Sequence, residues 1–148
     1  MRNEFTLLVS MVLLAGALSS CGTRQDASGT YKGTQLTSQQ GYNQTNYSEP
    51  PANTTLILAQ AGDSLTGTYN ASSLSFGTSI GDVTGTLVAD TINPLTVQLR
   101  AGATGCPGTL TGSVQLENSK QGMRLRGNLK GTTTCGAQIT AVVDLLKQ

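Results

Sequence analysis

The chain has 148 residues and a formal net charge of +1, and only 11% of its residues are charged. This length fits one domain with a short extension, and the near-neutral charge gives no general attraction to nucleic acid. The chain contains no histidine, which excludes an imidazole base, a histidine-activated nucleophile and a histidine metal ligand. We therefore expect a non-catalytic protein without a cofactor or a bound metal.

The first 20 residues have the composition of an export signal. Arg2 is followed by a largely apolar run over residues 5–18 and then by two serines. A basic start, an apolar centre and small residues at the end are typical of a secretory signal peptide, and the run is shorter than the ~20 residues of a spanning helix. Residues 1–20 are therefore predicted to be a signal peptide, with an uncleaved anchor as the alternative.

Residues 18–21 read Leu-Ser-Ser-Cys, and this tetrapeptide resembles the lipobox of bacterial lipoproteins. The resemblance covers only the first 21 residues of the chain, and the alternative is an ordinary signal peptide that happens to end beside a cysteine. It implies cleavage between Ser20 and Cys21, a diacylglyceryl thioether on Cys21 and acylation of the new amino group. Because Gly22 rather than aspartate follows the cysteine, it also implies delivery to the outer membrane, with the domain in the periplasm or at the cell surface.

Two further cysteines, Cys106 and Cys135, remain after Cys21 is assigned to the lipid. In an exported chain two free cysteines form a disulfide by default. Two thiolates without histidine would leave a zinc ion short of ligands. We therefore predict a Cys106–Cys135 disulfide in a single domain over residues 29–148, joined to the lipid by a polar tether over residues 21–28.

Beyond the tether, short stretches of alternating apolar and polar residues are separated by turn-forming residues. They predict eight strands, over residues 29–37, 54–61, 64–70, 82–89, 95–100, 109–117, 123–131 and 138–146. The last of these also fits one face of a helix, but its β-branched residues favour a strand. Eight short strands at this spacing predict an all-β antiparallel meander, either a small up-and-down barrel or a β-sandwich.

Glycine recurs at the same position in five of the strands. Each of these glycines lies two residues from an apolar residue of the same strand and is therefore predicted to face inward with it: Gly33, Gly67, Gly85, Gly112 and Gly127. An inward residue without a side chain permits sharp coiling of a strand. The pattern therefore favours the barrel, whose interior would be lined by Leu65, Val83, Leu87, Leu99, Val114 and Leu129.

The apolar alternation of the sixth and seventh predicted strands indicates the register in which they pair. A hairpin whose opposed residue numbers sum to 241 places Leu116 opposite Leu125 and, on the outer face, Glu117 opposite Arg124. A slip by one residue would turn the apolar side chains outward. The same register places residue 106 opposite residue 135, so the hydrophobic pattern and the cysteine count predict the same disulfide.

The long connection over residues 38–53 contains Tyr42 and Tyr47 and ends in two prolines. Loops of this length are often functional, and the two tyrosines are candidates for a contact surface; the alternative is a solvated polar loop. A long first loop in an eight-stranded exported barrel is similar to the lipocalins, although their Gly-x-Trp signature is missing and the chain has Gly29-Thr30-Tyr31 instead. This likeness implies a carrier of a small apolar ligand.

Three basic residues alternate along the outer face of the seventh predicted strand: Arg124, Arg126 and Lys130. They form either an anion-binding stripe for phosphate-bearing lipid or a row that keeps the sheet soluble. The sequence as a whole predicts a lipid-anchored module of the cell envelope with a structural or interaction role, whose partner is an envelope protein or lipid. The alternative is the lipocalin-like carrier.

Overall fold

The computed structural model describes residues 25–40, 46–48, 50–73, 77–100 and 106–148. The predicted signal peptide, Ser20, Cys21 and Tyr42 lie outside these ranges. Nine strands follow one another along the chain: β1 (Gly29–Gln40), β2 (Asn46–Ser48), β3 (Ala52–Ala61), β4 (Ser64–Ser73), β5 (Gly77–Val88), β6 (Thr91–Leu99), β7 (Gly108–Ser119), β8 (Gly122–Thr133) and β9 (Gln138–Lys147). Within the described ranges, no helix is long and apolar enough to cross a membrane.

Eight of these strands close into an antiparallel barrel. In the barrel β1 pairs with β3, and the strands from β3 to β9 then pair in sequence order. Strand β9 pairs back onto β1, from Tyr31↔Lys147 to Gln40↔Gln138. The short strand β2 pairs with the end of β1 on the side that β3 leaves open. The predicted meander barrel is thereby confirmed, and neither the sandwich nor the C-terminal helix is formed.

Alternation along the strands separates a filled interior from a polar outer face. The six side chains predicted to line the interior are all buried in one apolar cluster: Leu65, Val83, Leu87, Leu99, Val114 and Leu129. Tyr31, Leu125 and Leu145 fill the space between them and are at most 1% exposed. The interior of an eight-stranded barrel is just wide enough for such side chains.

The five predicted glycines lie on the inward face, where neighbouring backbones approach closely. A Cβ atom on Gly112 would lie 1.9 Å from the carbonyl oxygen of Asn128 on β8, and one on Gly67 would lie 1.9 Å from that of Ile57 on β3. No side chain fits at these distances. The glycines therefore allow each strand to coil against its neighbour where the barrel curves.

The hairpin of β7 and β8 has the predicted register. Its pairs run from Gly108↔Thr133 to Ser119↔Gly122, with Glu117 opposite Arg124. The Cys106–Cys135 disulfide is formed just beyond the last pair, with a Cα–Cα distance of 5.7 Å. The disulfide therefore links the ends of two strands that the apolar pattern has already aligned.

Several predicted boundaries were wrong, and the fourth predicted strand begins at Gly77 rather than at residue 82. The connection over residues 38–53 is not a continuous loop, because residues 38–40 extend β1 and residues 46–48 form β2, so that the backbone groups of both stretches pair in the sheet. The fifth barrel strand, β6, begins at Thr91 rather than at Leu95, and its register shifts between Ile92 and Leu95 around Pro94. Proline is tolerated in a sheet at such a shift.

Candidate functional site

The two ends of the barrel differ, and we call them the closed end and the disulfide end. The closed end contains the start of β1, the end of β9 and the β3–β4, β5–β6 and β7–β8 turns. The disulfide end contains the opposite ends of the same strands and the Cys106–Cys135 bridge. Because the strands alternate in direction, both the N-terminal segment (residues 25–28) and the C-terminal residue Gln148 lie at the closed end.

The N-terminal segment packs across the closed end. Ala27 is fully buried in the apolar cluster, and its backbone N–H donates a 2.8 Å hydrogen bond to Oε1 of Gln60 on β3. The amide nitrogen of Gln60 in turn donates to the carbonyl oxygen of Gln25 at 3.4 Å. The described part of the predicted polar tether is therefore part of the domain, because one small apolar side chain and two backbone hydrogen bonds hold it in place.

Tyr31 anchors this segment from inside the barrel. Its hydroxyl donates to the carbonyl oxygen of Ala27 at 3.0 Å and lies 3.3 Å from the sulfur of Met123 on β8. Burial, with the charge of Asp26 as a smaller cause, raises the pKa of the Tyr31 phenol to about 12. The phenol therefore stays neutral and keeps its hydrogen bond at all physiological pH values.

Ionic contacts add to the packing at the closed end. Asp26 accepts hydrogen bonds from the hydroxyl (2.6 Å) and the backbone N–H (2.9 Å) of Ser28, and the Nζ of Lys147 lies 3.9 Å from its other oxygen. The Ser28 hydrogen bonds and then the Lys147 charge hold the pKa of the exposed Asp26 carboxyl below its usual value. These contacts join the first described residues to the last strand.

The interior near the disulfide end is polar. The Tyr69 hydroxyl donates a 2.8 Å hydrogen bond to Oε1 of Gln35, whose amide nitrogen donates to the hydroxyl of Thr37 at 2.9 Å. All three side chains are buried. The apolar interior therefore ends in a hydrogen-bonded chain of uncharged side chains on β1 and β4. The sequence does not predict this chain, because Gln35 and Tyr69 are 34 residues apart and meet only in the folded barrel.

The predicted basic stripe lies on the outer face of β8, and two of the three stripe residues form ion pairs with carboxylates. The Nε of Arg124 lies 2.7 Å from one oxygen of Asp144, and the Nε of Arg126 lies 3.4 Å from the other. Arg126 also lies 3.9 Å from Glu117. Since both guanidinium groups have counter-ions within the protein, an incoming anion would compete with carboxylates already in place.

Lys130, the third residue of the stripe, lies in register between Thr111 on β7 and Thr140 on β9. Two shallow depressions flank the stripe on the outer face. One, of about 440 Å³, is lined by Thr91, Ser113, Gln115, Arg126, Gly127 and Asn128. The other, of about 310 Å³, is lined by Lys130, Gly131, Thr132, Gln138, Ile139 and Thr140.

A separate ion pair lies near the disulfide end. The guanidinium of Arg100 donates two hydrogen bonds to the carboxylate of Asp82 on the neighbouring strand β5, one of them from Nε at 2.9 Å. The hydrogen bonds from Arg100, with its charge, hold the pKa of the exposed Asp82 carboxyl below its usual value. In the part of the chain that the structure describes, no three carboxylate or thiol side chains are grouped as metal ligands.

The remaining predicted contact residues are only partly described. The backbone of Tyr47 lies in β2, paired with Gln39 of β1, whereas Tyr42 lies outside the described residues. β2 adjoins the end of β1 at the disulfide end. The structure therefore places the backbone of Tyr47 at that end, and the predicted contact surface remains a prediction.

Comparison with known proteins finds structural similarity alone. No family model matches the chain, and no curated protein matches it. A redesigned beta barrel, b11L5F_LGL, is similar over 82% of this chain and 90% of its own, with 13% identity and a TM-score of 0.48. Another redesigned barrel, mFAP1 bound to DFHBI, is similar over 82% of this chain and 94% of its own, with 12% identity and a TM-score of 0.46.

Proposed function

We propose that the protein is a lipid-anchored lipoprotein of the bacterial cell envelope, whose barrel is a non-catalytic structural or interaction module. The observation that carries this proposal is the position of the lipobox relative to the fold. Cleavage before Cys21 would leave intact the described N-terminal segment, whose first residue, Gln25, accepts a hydrogen bond from Gln60. The chain would then pass from the acylated cysteine into the domain within four residues.

The disulfide supports an exported protein. The bridge between Cys106 and Cys135 is formed, and disulfides persist in oxidising compartments such as the periplasm. This pairing leaves Cys21 as the one cysteine of the chain outside the bridge, free to carry lipid. Two or three acyl chains there would exceed the two-signal threshold for stable anchoring, at about 0.8 kcal/mol per buried methylene.

The polar outer face supports an interaction role. Among the described residues, the outward positions carry mainly threonine, serine, asparagine and glutamine, and the Arg124 and Arg126 charges are balanced by Asp144 and Glu117. Such a surface offers many hydrogen-bond donors and acceptors with little net charge. The partner we propose is an envelope protein or lipid, and the cellular site is the outer membrane, facing the periplasm or the exterior.

The experiment compares Cys21→Ala with Ser20→Ala in a bacterial host, with the full chain expressed from its own leader. Ser20→Ala keeps a small residue before the cysteine, so we expect normal processing, an acylated N-terminal peptide by mass spectrometry and recovery in the membrane fraction. We expect Cys21→Ala to lack the acyl mass and to leave the membrane fraction. Membrane association and mass unaffected by Cys21→Ala would contradict the proposal.

A third variant tests the cellular site. In the lipoproteins that the leader resembles, an aspartate after the cysteine retains the protein in the inner membrane. We therefore expect Gly22→Asp to remain acylated but to move from the outer-membrane to the inner-membrane fraction on a density gradient. An acylated wild type that already fractionates with the inner membrane would contradict outer-membrane delivery and leave the anchor itself intact.

The buried chain of Tyr69, Gln35 and Thr37 favours a second candidate, a carrier of a small lipophilic ligand. A ligand would enter from the disulfide end, since Ala27 closes the other, and its apolar part would have to displace side chains of the filled interior. Its polar headgroup would meet these three side chains. Native mass spectrometry of envelope-purified protein tests this: a bound mass that Tyr69→Phe weakens supports a carrier. Protein carrying no mass beyond its own chain and acyl groups would contradict it.

A further inference from the structure

The path of the chain into the barrel determines which end lies near the anchor. The carbonyl oxygen of Gln25 lies 3.4 Å from the Gln60 amide nitrogen, which also donates to Gly62 in the β3–β4 turn at 3.0 Å. The next buried residue, Ala27, is fixed by Gln60 and Tyr31. Residue 25 is therefore held at the closed end and is not free to move along the barrel wall.

The reach of the intervening chain is short. Cys21 and Gln25 are separated by four residue steps, which span at most about 14 Å when fully extended. The barrel is longer than this. Strand β1 has 12 residues, and at the usual rise and tilt of a barrel strand this corresponds to a height of about 30 Å.

From this geometry, and resting on the proposed acylation of Cys21, we infer that the barrel stands on the bilayer with its closed end toward the lipid. The disulfide end, with Cys106–Cys135, the end of β1 and the start of β9, is then presented away from the membrane. The partner of the closed end is the lipid headgroup layer, and the surface open to a soluble envelope partner is the disulfide end.

Among the described residues, the outer wall of the barrel presents no broad apolar face to the bilayer. The exposed large apolar side chains of the described residues are Leu36, Ile57, Ile80, Val88 and Val142. They are distributed over β1, β3, β5 and β9, and among them only Leu36 and Val142 are directly paired across strands. Two adjacent aliphatic side chains are a small patch, whereas stable membrane contact requires a broad apolar face. An end-on arrangement is therefore favoured over one in which the wall lies on the membrane.

The chain has no tryptophan, so the fluorescence of a single introduced tryptophan reports the distance from that one position to a labelled membrane. Lys120→Trp places it in the exposed β7–β8 turn at the closed end, and Ser72→Trp places it on the exposed outer face of β4 near the disulfide end. Acylated protein is reconstituted in vesicles of phosphatidylethanolamine and phosphatidylglycerol with a dansyl-headgroup lipid as acceptor. Energy transfer from each tryptophan to the dansyl group is then measured.

We expect several-fold more transfer from Lys120→Trp than from Ser72→Trp. Equal or reversed transfer, in protein with the acyl mass at Cys21 and a normal thermal transition, would overturn the inference while leaving the lipoprotein proposal intact. Absence of the acyl mass would overturn both, so the two failures are distinguishable. The Cys21→Ala form of each reporter is the matched control and should show no transfer above that of protein added to acceptor-free vesicles.

Discussion

The close approach of β7 and β8 at Gly112 gives a sharp prediction for Gly112→Ala. A Cβ at this position would lie 1.9 Å from the Asn128 carbonyl oxygen and 3.0 Å from the Leu129 Cα, where ordinary contacts are 3.4–4 Å. The obstacle is backbone, so no side-chain rotation relieves it. The two strands have to separate by more than an ångström, which weakens the hydrogen bonds on either side.

The size of the effect follows from three contributions. Overpacking of a filled interior costs about 1–3 kcal/mol, and each weakened hydrogen bond costs about 1 kcal/mol. Replacing glycine with alanine in a strand recovers about 0.5–1 kcal/mol of conformational entropy. We therefore expect the free energy of unfolding to fall by about 2–4 kcal/mol. For a domain of this size, the melting temperature should fall by about 8–16 °C.

The assay is urea denaturation and thermal melting followed by circular dichroism, with Gly85→Ala and Ser113→Ala as matched controls. At Gly85 the nearest obstacle is a side-chain atom, the Ile92 Cγ2 methyl at 2.7 Å, and the nearest backbone atom is 3.1 Å away, so we expect a smaller loss than at Gly112. Ser113 is exposed on the same strand as Gly112, and its replacement should change stability by at most about 0.5 kcal/mol. If Gly112→Ala is as stable as Ser113→Ala, the inward glycines do not permit the close approach and the reasoning fails.

Three further predictions concern cross-links and titrating groups. The double variant Cys106→Ser/Cys135→Ser should lose about 3–4 kcal/mol of unfolding free energy in urea, from the 29-residue separation that the disulfide closes; an unchanged midpoint would contradict this. The lowered folded-state pKa of Asp82 adds stability that is present above the unfolded pKa of about 3.9 and lost as pH falls through the folded pKa. Arg100→Gln should therefore raise the Asp82 pKa toward that value in an NMR titration and reduce the loss of stability in acid. The raised Tyr31 pKa adds stability that is complete below about pH 10 and is lost as pH rises toward about 12. Tyr31→Phe should lower stability at neutral pH by about 1 kcal/mol and flatten the alkaline part of the stability curve, whereas an unchanged alkaline slope would show that the phenol is not the titrating group.

Local pattern was sufficient to predict the β7–β8 hairpin and its disulfide. Alternation places Leu116 opposite Leu125 in only one register, because a slip by one residue turns every apolar side chain outward. That register brings Cys106 and Cys135 together without further information. The hairpin was predictable because all the residues that determine it are close in sequence.

Features that depend on distant strands were not predicted. The contacts of Asp144 with Arg124 and Arg126 require the β8–β9 register, in which Asp144 lies opposite Arg126. The packing of the N-terminal segment against the barrel was not predicted either, since Ala27 is a single small residue in a polar stretch. Its burial depends on Gln60, which is 33 residues away in sequence.

Closure of the barrel by β1 and β9 has a consequence for the order of folding. Tyr31 pairs with Lys147, so the first barrel strand remains unpaired on one side until the last residues of the chain are available. Contacts between the two ends of a chain form late, because they carry the largest loop-closure entropy. If the chain crosses a membrane from its N-terminus, the barrel cannot close during transit. Folding would then have to be completed after release, when the first strand is already next to the proposed acylation site.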